Sequence, residues 1–165
     1  MSKAIVVANT SPVIFLQKIG QLDLLSLLYS RIHIPEAVYK EVIVYGTEEN
    51  RSNNLISAHS WIDVIKIKNT YDKKLFTTNL HDGEIETIML AMEMSADLCI
   101  IDDLLARKYA KNVGLNITGT LGILLLAKEK EYLKSIKPLL EELTNHGMYI
   151  GKELFSAILT IAKES

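Results

Sequence analysis

Cysteine, proline and long apolar runs are all scarce in this chain. Its 165 residues include one Cys and 3 Pro, and the single cysteine excludes a disulfide framework or a zinc site built on several thiolates. Apolar runs such as Ile123 to Ala127 fall far short of the roughly 20 residues that a membrane-spanning helix needs. The run from Met1 to Ala8 lacks the apolar length and the cleavage site of a signal peptide. These absences predict a cytoplasmic protein with no membrane segment.

Net charge is low as well. Lys and Arg number 18 against 20 Asp and Glu, so no overall basic field points to nucleic acid or to an anionic membrane. The hydrophobic content of 48% excludes disorder, which requires low hydrophobicity and high net charge. The length predicts a single domain over residues 1–165, with a core in 1–131 and a C-terminal helical pair in 132–165.

Short β-rich runs alternate with helical patterns along the chain. The predicted strands cover residues 4–8, 32–34, 62–67, 98–101 and 116–118. The predicted helices cover residues 12–19, 21–29, 36–45, 53–59, 82–94, 103–113 and 120–131. Because this alternation is typical of right-handed crossovers, the sequence predicts an α/β protein whose parallel sheet is covered by helices on both faces.

Two further amphipathic patterns lie at the end of the chain. Apolar residues recur at helical spacing from Ile136 to Leu143, and Gly147 follows as the expected helix stop. A second apolar stripe runs from Leu154 to Ala162. The sequence therefore predicts two C-terminal amphipathic helices, which either pack on the core or form a contact between subunits.

Polar residues follow two of the predicted strands directly. After the first strand, Ser11 is expected to cap a helix whose first position is Pro12, and Asn9 lies at the strand tip, where open parallel sheets bind ligands. The fourth strand is followed by Asp102 and Asp103. One of these could simply cap the next helix, but two adjacent carboxylates repel each other unless a cation lies between them. The two strand ends therefore predict a cation site.

Two glutamates lie on apolar helix faces. Glu41 shares a face with Val38, and a buried carboxylate is costly unless it is paired or bound to a metal; the alternative is a side chain that reaches out to solvent. Glu84 opens a helix on the same face as Ile88, whereas Glu86 is expected on the side that faces water. Glu84 could also serve only to offset the helix dipole. Both Glu41 and Glu84 are candidates for the site.

Several other chemistries lack their motifs. Neither a Gly-x-x-x-x-Gly-Lys-Ser/Thr phosphate loop nor a Gly-x-Gly-x-x-Gly turn after the first strand occurs. The segment from Gly119 to Gly122 starts a helix and either holds a phosphate or serves capping and close packing. Cys99 lies within a predicted buried strand and is expected to be inert. The sequence therefore lacks the motifs of these competing chemistries.

The order of these residues resembles that of a PIN-domain protein. The resemblance runs from about Val6 to Ala127 and is carried by four segments: Asn9 to Pro12, Ile34 to Val42, Gly83-Glu84, and Ile101 to Arg107. The continuation from Thr118 to Gly122, with the appended helices, is similar to a prokaryotic PIN-like subfamily without an established activity. The resemblance implies a three-layer α/β/α sandwich with a central, mainly parallel sheet of about five strands, and it implies a metal-dependent ribonuclease of the kind found in VapC-type toxins.

The resemblance also implies a set of site residues. It places the acidic metal positions of the family, which bind Mg²⁺ or Mn²⁺, on Asn9, Glu41, Glu84, Asp102 and Asp103, and catalysis on the four carboxylates of that set. RNA is the implied substrate, and it is expected to contact Thr10, Ser11, Arg107, Lys108, Thr118 and Thr120. An antitoxin protein and a second copy of the chain are the further partners that the resemblance suggests.

Asn9 keeps one alternative open. An Asn at the first-strand position removes one negative charge, although its carbonyl can still bind a hard cation. A PIN-like fold that has lost catalysis and acts by binding nucleic acid or protein is therefore the competing interpretation. A phosphorelay or phosphatase domain is disfavoured, because such proteins need acidic residues at the first strand, where this chain has Asn9, Thr10 and Ser11.

Overall fold

A parallel sheet forms the centre of the molecule. The structure is a computed structural model, and it describes residues 3–48, 56–69, 73 and 79–165. The strands are β1 (Val6–Ala8), β2 (Ile32–Pro35), β3 (Ile62–Ile65), β4 (Leu98–Ile100) and β5 (Ile117–Thr118). They pair in the order β3-β2-β1-β4-β5, and each neighbouring pair is parallel. The predicted parallel sheet of about five strands is confirmed.

Helices cover both faces of this sheet. They are α1 (Thr10–Lys18), α2 (Leu24–Tyr29), α3 (Glu36–Glu48), α4 (Asp82–Glu93), α5 (Leu104–Asn112), α6 (Thr120–Glu129), α7 (Lys137–Asn145) and α8 (Lys152–Ile161). Leu16 of α1 and Leu124 of α6 belong to the buried cluster on one face. Ile88 of α4 and Ala106 of α5 belong to the cluster on the other face. The three-layer α/β/α sandwich is therefore confirmed.

The apolar character of the central strands follows from this double cover. Val6 and Ala8 point into the first cluster, whereas Val7 points into the second. In β4 and just beyond it, Ile100 faces the first cluster and Ile101 the second. Because successive strand residues point to opposite faces and both faces are buried, no polar alternation appears in these strands.

The strand order places a crevice at one edge of the sheet. The chain leaves β1 for β2 on one side and later forms β4 on the other side of β1, so the order reverses between β1 and β4. In open α/β sheets, ligands bind at such a reversal, outside the carboxyl ends of the strands. The backbone N–H of Asn9 donates to the carbonyl of Ile100 at 2.9 Å, which holds the two strand ends together at this crevice. Residues that follow β1 and β4 therefore meet there.

Two local predictions are wrong. The helix predicted over residues 53–59 does not form in its described part: residues 56–58 make a turn, and the N–H of His59 donates to the carbonyl of Ile56. The N–H of Ile62 donates to the carbonyl of His59 in the same way, so two successive turn bonds between residues three apart lead into β3; residues 53–55 lie outside the described residues. The N-cap of α1 is Asn9 rather than Ser11. Pro12 fits the third helical position equally well, because the first N–H groups of a helix have no partner within it.

The two C-terminal helices pack on the core. Ile136, Leu140 and Leu143 join the same buried cluster as α1 and α6, and so does Ile158 of α8. Gly147 follows α7 with φ of 98°, a left-handed conformation that glycine adopts without strain. Among the helices of the described residues, none has the length and apolar character needed to traverse a bilayer.

Candidate active site

Asn9 lies at the centre of the crevice and is buried, with 4% of its surface exposed. Its side-chain oxygen is 3.3 Å from the hydroxyl of Thr87 on α4. That hydroxyl also donates to the carbonyl of Gly83 at 2.6 Å, one turn earlier in the same helix. Asn9 therefore connects the tip of β1 to the first turn of α4. Thr87, a buried polar residue in a helix, is a contact that sequence reasoning missed.

Glu84 and Asp103 form a pair of carboxyl groups at the same edge. Glu84 is 7% exposed and accepts from the backbone N–H of His81 at 2.9 Å, so it helps to start α4. Burial raises the pKa of Glu84, and the nearby Asp103 raises it further through its charge and a hydrogen bond, against the lowering effect of the His81 N–H. Asp103 is exposed and caps α5 by accepting from the N–H of Ala106 at 2.9 Å.

Asp102 points to a different partner. One of its oxygens accepts from the backbone N–H of Thr120 at 2.7 Å, and the other accepts from the Thr120 hydroxyl at 2.7 Å. Burial raises the pKa of Asp102, while the two hydrogen bonds from Thr120 and the charge of Arg107 oppose that rise. Both oxygens of Asp102 are thus engaged with the start of α6. The Thr120 N–H, the first of α6, is therefore already used by Asp102. The start of α6 had been a candidate phosphate site.

Glu41 reaches the edge from α3. The Thr10 hydroxyl donates a short hydrogen bond to its carboxylate. Its oxygens also lie against Gly83: a Cβ built on that glycine would stand 2.6 Å from Oε1. Glu41 therefore lies beside the first turn of α4, next to the helix turn that carries Glu84.

The acidic side chains lie in separate small groups. Within residues 3–48, 56–69, 73 and 79–165, no three Asp, Glu, His or Cys side chains converge into a metal-binding group. Magnesium, however, is usually held by one or two carboxylates, with water and substrate phosphate in the other positions. The pair of Glu84 and Asp103 supplies two hard oxygen ligands whose mutual repulsion a cation would relieve. These residues therefore fit a divalent ion, although they do not form a complete cage by themselves.

The residues expected to contact RNA differ in their exposure to solvent. Arg107 points inward and donates to the carbonyl of Ile101 at 2.9 Å, whereas Lys108 is exposed on α5. Ser11 and Thr118 are half-buried, and Thr120 is fully buried. Of this set, Lys108 is the basic side chain presented to solvent. An exposed lysine on a helix is also what an ordinary solvated surface shows.

Glu86 does not face water, contrary to the sequence prediction. It is 8% exposed and accepts from the backbone N–H of Ala37 at 3.1 Å, at the start of α3. Lys73 pairs with it at 2.5 Å. Because α4 is buried on nearly all sides, the periodicity of its apolar residues does not identify a solvent-exposed face. The direction of Glu86 becomes clear only from the packing of α3 against α4.

Cys99 is inert, as predicted from its place in a buried strand. It is fully buried in β4, and this burial raises the pKa of its thiol to about 12. A thiolate is the reactive form of cysteine, so nucleophilic chemistry at this position is disfavoured.

Comparison with known proteins agrees with this arrangement. A family model described as a PIN domain matches residues 5–164, almost the whole chain. No curated protein matches the chain at a significant level.

Proposed function

Because the chain belongs to the PIN-domain family, we propose that it is a metal-dependent ribonuclease that hydrolyses phosphodiester bonds in RNA. The observation that carries this proposal is the pair of Glu84 and Asp103, at the crevice where the strand order reverses between β1 and β4 and where Asn9 follows β1. Two neighbouring carboxyl groups destabilise each other when both are charged, which makes the pair a natural ligand for a cation.

Glu84 and Asp103 are the residues proposed to hold Mg²⁺ or Mn²⁺. The amide oxygen of Asn9 and the carboxylate of Glu41 are further oxygen ligands at the same edge. A bound divalent ion lowers the pKa of water and offsets the charge of a phosphate. The hydrogen bonds from His81 to Glu84 and from Ala106 to Asp103 orient the pair before an ion arrives. The hydrogen bond from Thr10 orients Glu41 in the same way.

The RNA would approach from the carboxyl end of the sheet. Lys108, exposed on the helix that Asp103 caps, is the proposed phosphate contact. A single lysine gives weak, salt-dependent attraction, so RNA affinity is expected to fall as ionic strength rises. A role as the toxin of a toxin–antitoxin pair belongs to this proposal. It is tested by whether a small protein encoded beside this chain co-purifies with it and blocks RNA cleavage.

An RNA cleavage assay tests the enzymatic proposal. We expect cleavage with Mg²⁺ or Mn²⁺ and none after chelation by EDTA. Glu84→Gln and Asp103→Asn should each reduce cleavage by at least about a hundredfold, since each removes a charge from the ion-binding pair. Glu153→Gln, an exposed glutamate in the first turn of α8, is the matched control and should keep full activity. Cleavage that persists in EDTA, or in both site variants, would contradict this mechanism.

A catalytically silent binding module is the second candidate. Asn9 favours it, because an uncharged side chain linked to Thr87 takes the position of the first family carboxylate. For this candidate, RNA binding should survive EDTA and the Glu84→Gln substitution, and no cleavage should appear at any Mn²⁺ concentration. The same assay, with RNA binding measured in parallel, separates the two candidates.

A further inference from the structure

We infer that Asp102 is a positioning residue, which anchors the start of α6 to the end of β4 and does not bind the divalent ion. The part of this inference that concerns the ion rests on the proposed function. The two adjacent aspartates thus have different roles. Asp103 faces the crevice, and Asp102 joins the end of β4 to the start of α6.

The hydrogen bonds of Asp102 carry the argument. Both of its oxygens accept from Thr120, each at 2.7 Å, one from the backbone N–H and one from the hydroxyl. A carboxylate that accepts two hydrogen bonds at 2.7 Å from one residue is fixed in orientation toward that residue, because both of its oxygens are held on the side of Thr120. Thr120 is itself fully buried, so this pair of bonds is shielded from water.

The surroundings of Asp102 leave little room for an ion. A Cβ built on Gly119 would lie 2.6 Å from one oxygen of Asp102 and 2.8 Å from Nη1 of Arg107. The backbone of Gly119 therefore lies close to the Asp102 carboxylate. Arg107 donates to the carbonyl of Ile101, the residue before Asp102, and is held in place by that bond. The positive charge of Arg107 acts on the Asp102 carboxylate and disfavours a second cation there.

Asp103 differs from Asp102 in its exposure, its hydrogen bonds and its neighbours. It is exposed, its hydrogen bond from the N–H of Ala106 uses one oxygen, and its carboxyl group lies against Glu84. Asp103 is therefore exposed and faces a second carboxyl group, and a cation between the two groups would relieve their repulsion. Asp102 and Asp103 have the same side chain, and their roles differ because they contact different partners.

The anchor joins two connections that are distant in the chain. Asp102 follows β4 and Thr120 begins α6, after β5, so the pair ties the ends of two neighbouring strands together. Because Asp103 is the next residue after Asp102, its backbone is held by the same anchor. Loss of the anchor is expected to displace Asp103 relative to Glu84, which would reduce catalysis without removing any ion ligand.

Calorimetric titration with Mn²⁺ tests the assignment to the ion. Asp102→Asn removes the charge but keeps an oxygen for the Thr120 N–H, and it should weaken Mn²⁺ binding by less than about fivefold. Asp103→Asn, the matched substitution one residue later, should weaken it by more than about fiftyfold, because a direct ligand loses its charge. Equal losses in the two variants would overturn the inference.

A double-mutant cycle tests the anchor independently of any ion. Asp102→Ala and Thr120→Val should each lower the thermal midpoint of the metal-free protein by several degrees, and together by clearly less than the sum. Thr120→Ser keeps the hydroxyl and should match the unmodified protein in both the midpoint and the RNA cleavage rate, whereas Thr120→Val should lower the rate while weakening Mn²⁺ binding far less than Asp103→Asn does. Additive losses, or a Thr120→Ser variant as impaired as Thr120→Val, would overturn the inference. If the unmodified protein binds no Mn²⁺, the proposed function fails, and this cycle still decides whether Asp102 is the anchor.

Discussion

Gly83 lies directly against Glu41, so the first turn of α4 and the middle of α3 approach as closely as a missing side chain permits. A Cβ on Gly83 would stand 2.6 Å from Oε1 and 2.7 Å from Oε2 of the glutamate. The Thr10 hydroxyl holds the same carboxylate through its hydrogen bond. Glycine at this position is therefore required by contact with a site residue, not by backbone conformation.

Gly83→Ala should displace the Glu41 carboxylate from Thr10. Alanine favours a helix over glycine by up to about 1 kcal/mol, but here the contact with Glu41 should cancel that gain and lower RNA cleavage. Gly46→Ala is the matched control, because Gly46 is also helical and a Cβ added there would meet no atom of the described residues within 4 Å, apart from the backbone of its own helix. The control should raise the free energy of unfolding by about 0.5–1 kcal/mol with activity unchanged. A stabilised and fully active Gly83→Ala protein would contradict the contact.

Asn9→Asp should tighten binding of Mg²⁺ or Mn²⁺ and destabilise the metal-free protein. The substitution adds a negative charge to the crevice that holds Glu84 and Asp103, while the new carboxylate can still accept from the Thr87 hydroxyl. At an effective dielectric constant of about 20, a unit charge pair about 4 Å apart interacts by roughly 4 kcal/mol, an upper bound before desolvation. Calorimetry with Mn²⁺ and thermal unfolding measure the two effects.

Asn9→Ala provides the control for lost packing. It should lower stability, since Asn9 is buried, without tightening ion binding. Equal Mn²⁺ affinity in the Asp and Asn forms would mean that this position does not contribute to ion binding. Tighter binding with no cleavage would favour the silent binding module.

Glu84→Gln should stabilise the metal-free protein at neutral pH. The pKa of Glu84 is raised above its ordinary value of 4.5, chiefly by burial and further by Asp103. A carboxyl group with a raised pKa contributes stability that is present below its unfolded value and is lost as pH rises through its folded value. The unmodified protein should therefore lose stability as pH rises from about 4.5, and Glu84→Gln should flatten that dependence. Urea unfolding across pH with EDTA present measures it, and an unchanged profile would contradict the prediction.

Glu164 should make the C-terminal helices sensitive to acid. Burial alone would raise the pKa of this carboxylate, but hydrogen bonds from Ile136, Ser135, Lys128 and Lys137 hold it at about 2. A lowered pKa contributes stability above the unfolded value of 4.5, and this contribution is lost as pH falls toward 2. Thermal unfolding should therefore show a loss of stability within this interval.

Glu164→Gln should remove that part of the pH dependence and lower stability at pH 7 by about 1–3 kcal/mol, the usual range for hydrogen bonds to a charged group. Glu129→Gln, an exposed glutamate on α6, is the control and should change stability by less than about 0.5 kcal/mol. If the two variants unfold alike from pH 2 to 7, the hydrogen bonds that Glu164 accepts near the start of α7 do not contribute to stability.

The order of strands and helices was predictable because burial on both faces of a parallel sheet produces a recognisable apolar pattern in the sequence. Runs such as Val6 to Ala8 contain no polar residue, and the helices between them carry apolar stripes of helical period. The turn at residues 56–58 was not predictable in this way, because a short apolar stretch does not distinguish a turn from a helix. Some helix starts differ from the prediction by one to three residues for a similar reason, since several residues near the first turn can each serve as the cap.

The position of Asn9, Asp102 and Asp103 after two central strands could be read from the sequence, and a parallel sheet brings the carboxyl ends of such strands to one edge. The contacts of each side chain at that edge depend on the tertiary structure. Asp102 turns to Thr120 and Asp103 toward Glu84, and Glu86 turns inward to the start of α3. A carboxylate has the same composition whether it anchors a helix or faces a crevice. The role of a carboxylate depends on the N–H and hydroxyl groups that lie within hydrogen-bonding distance of it. These groups belong to distant parts of the chain, so a local sequence pattern does not predict them.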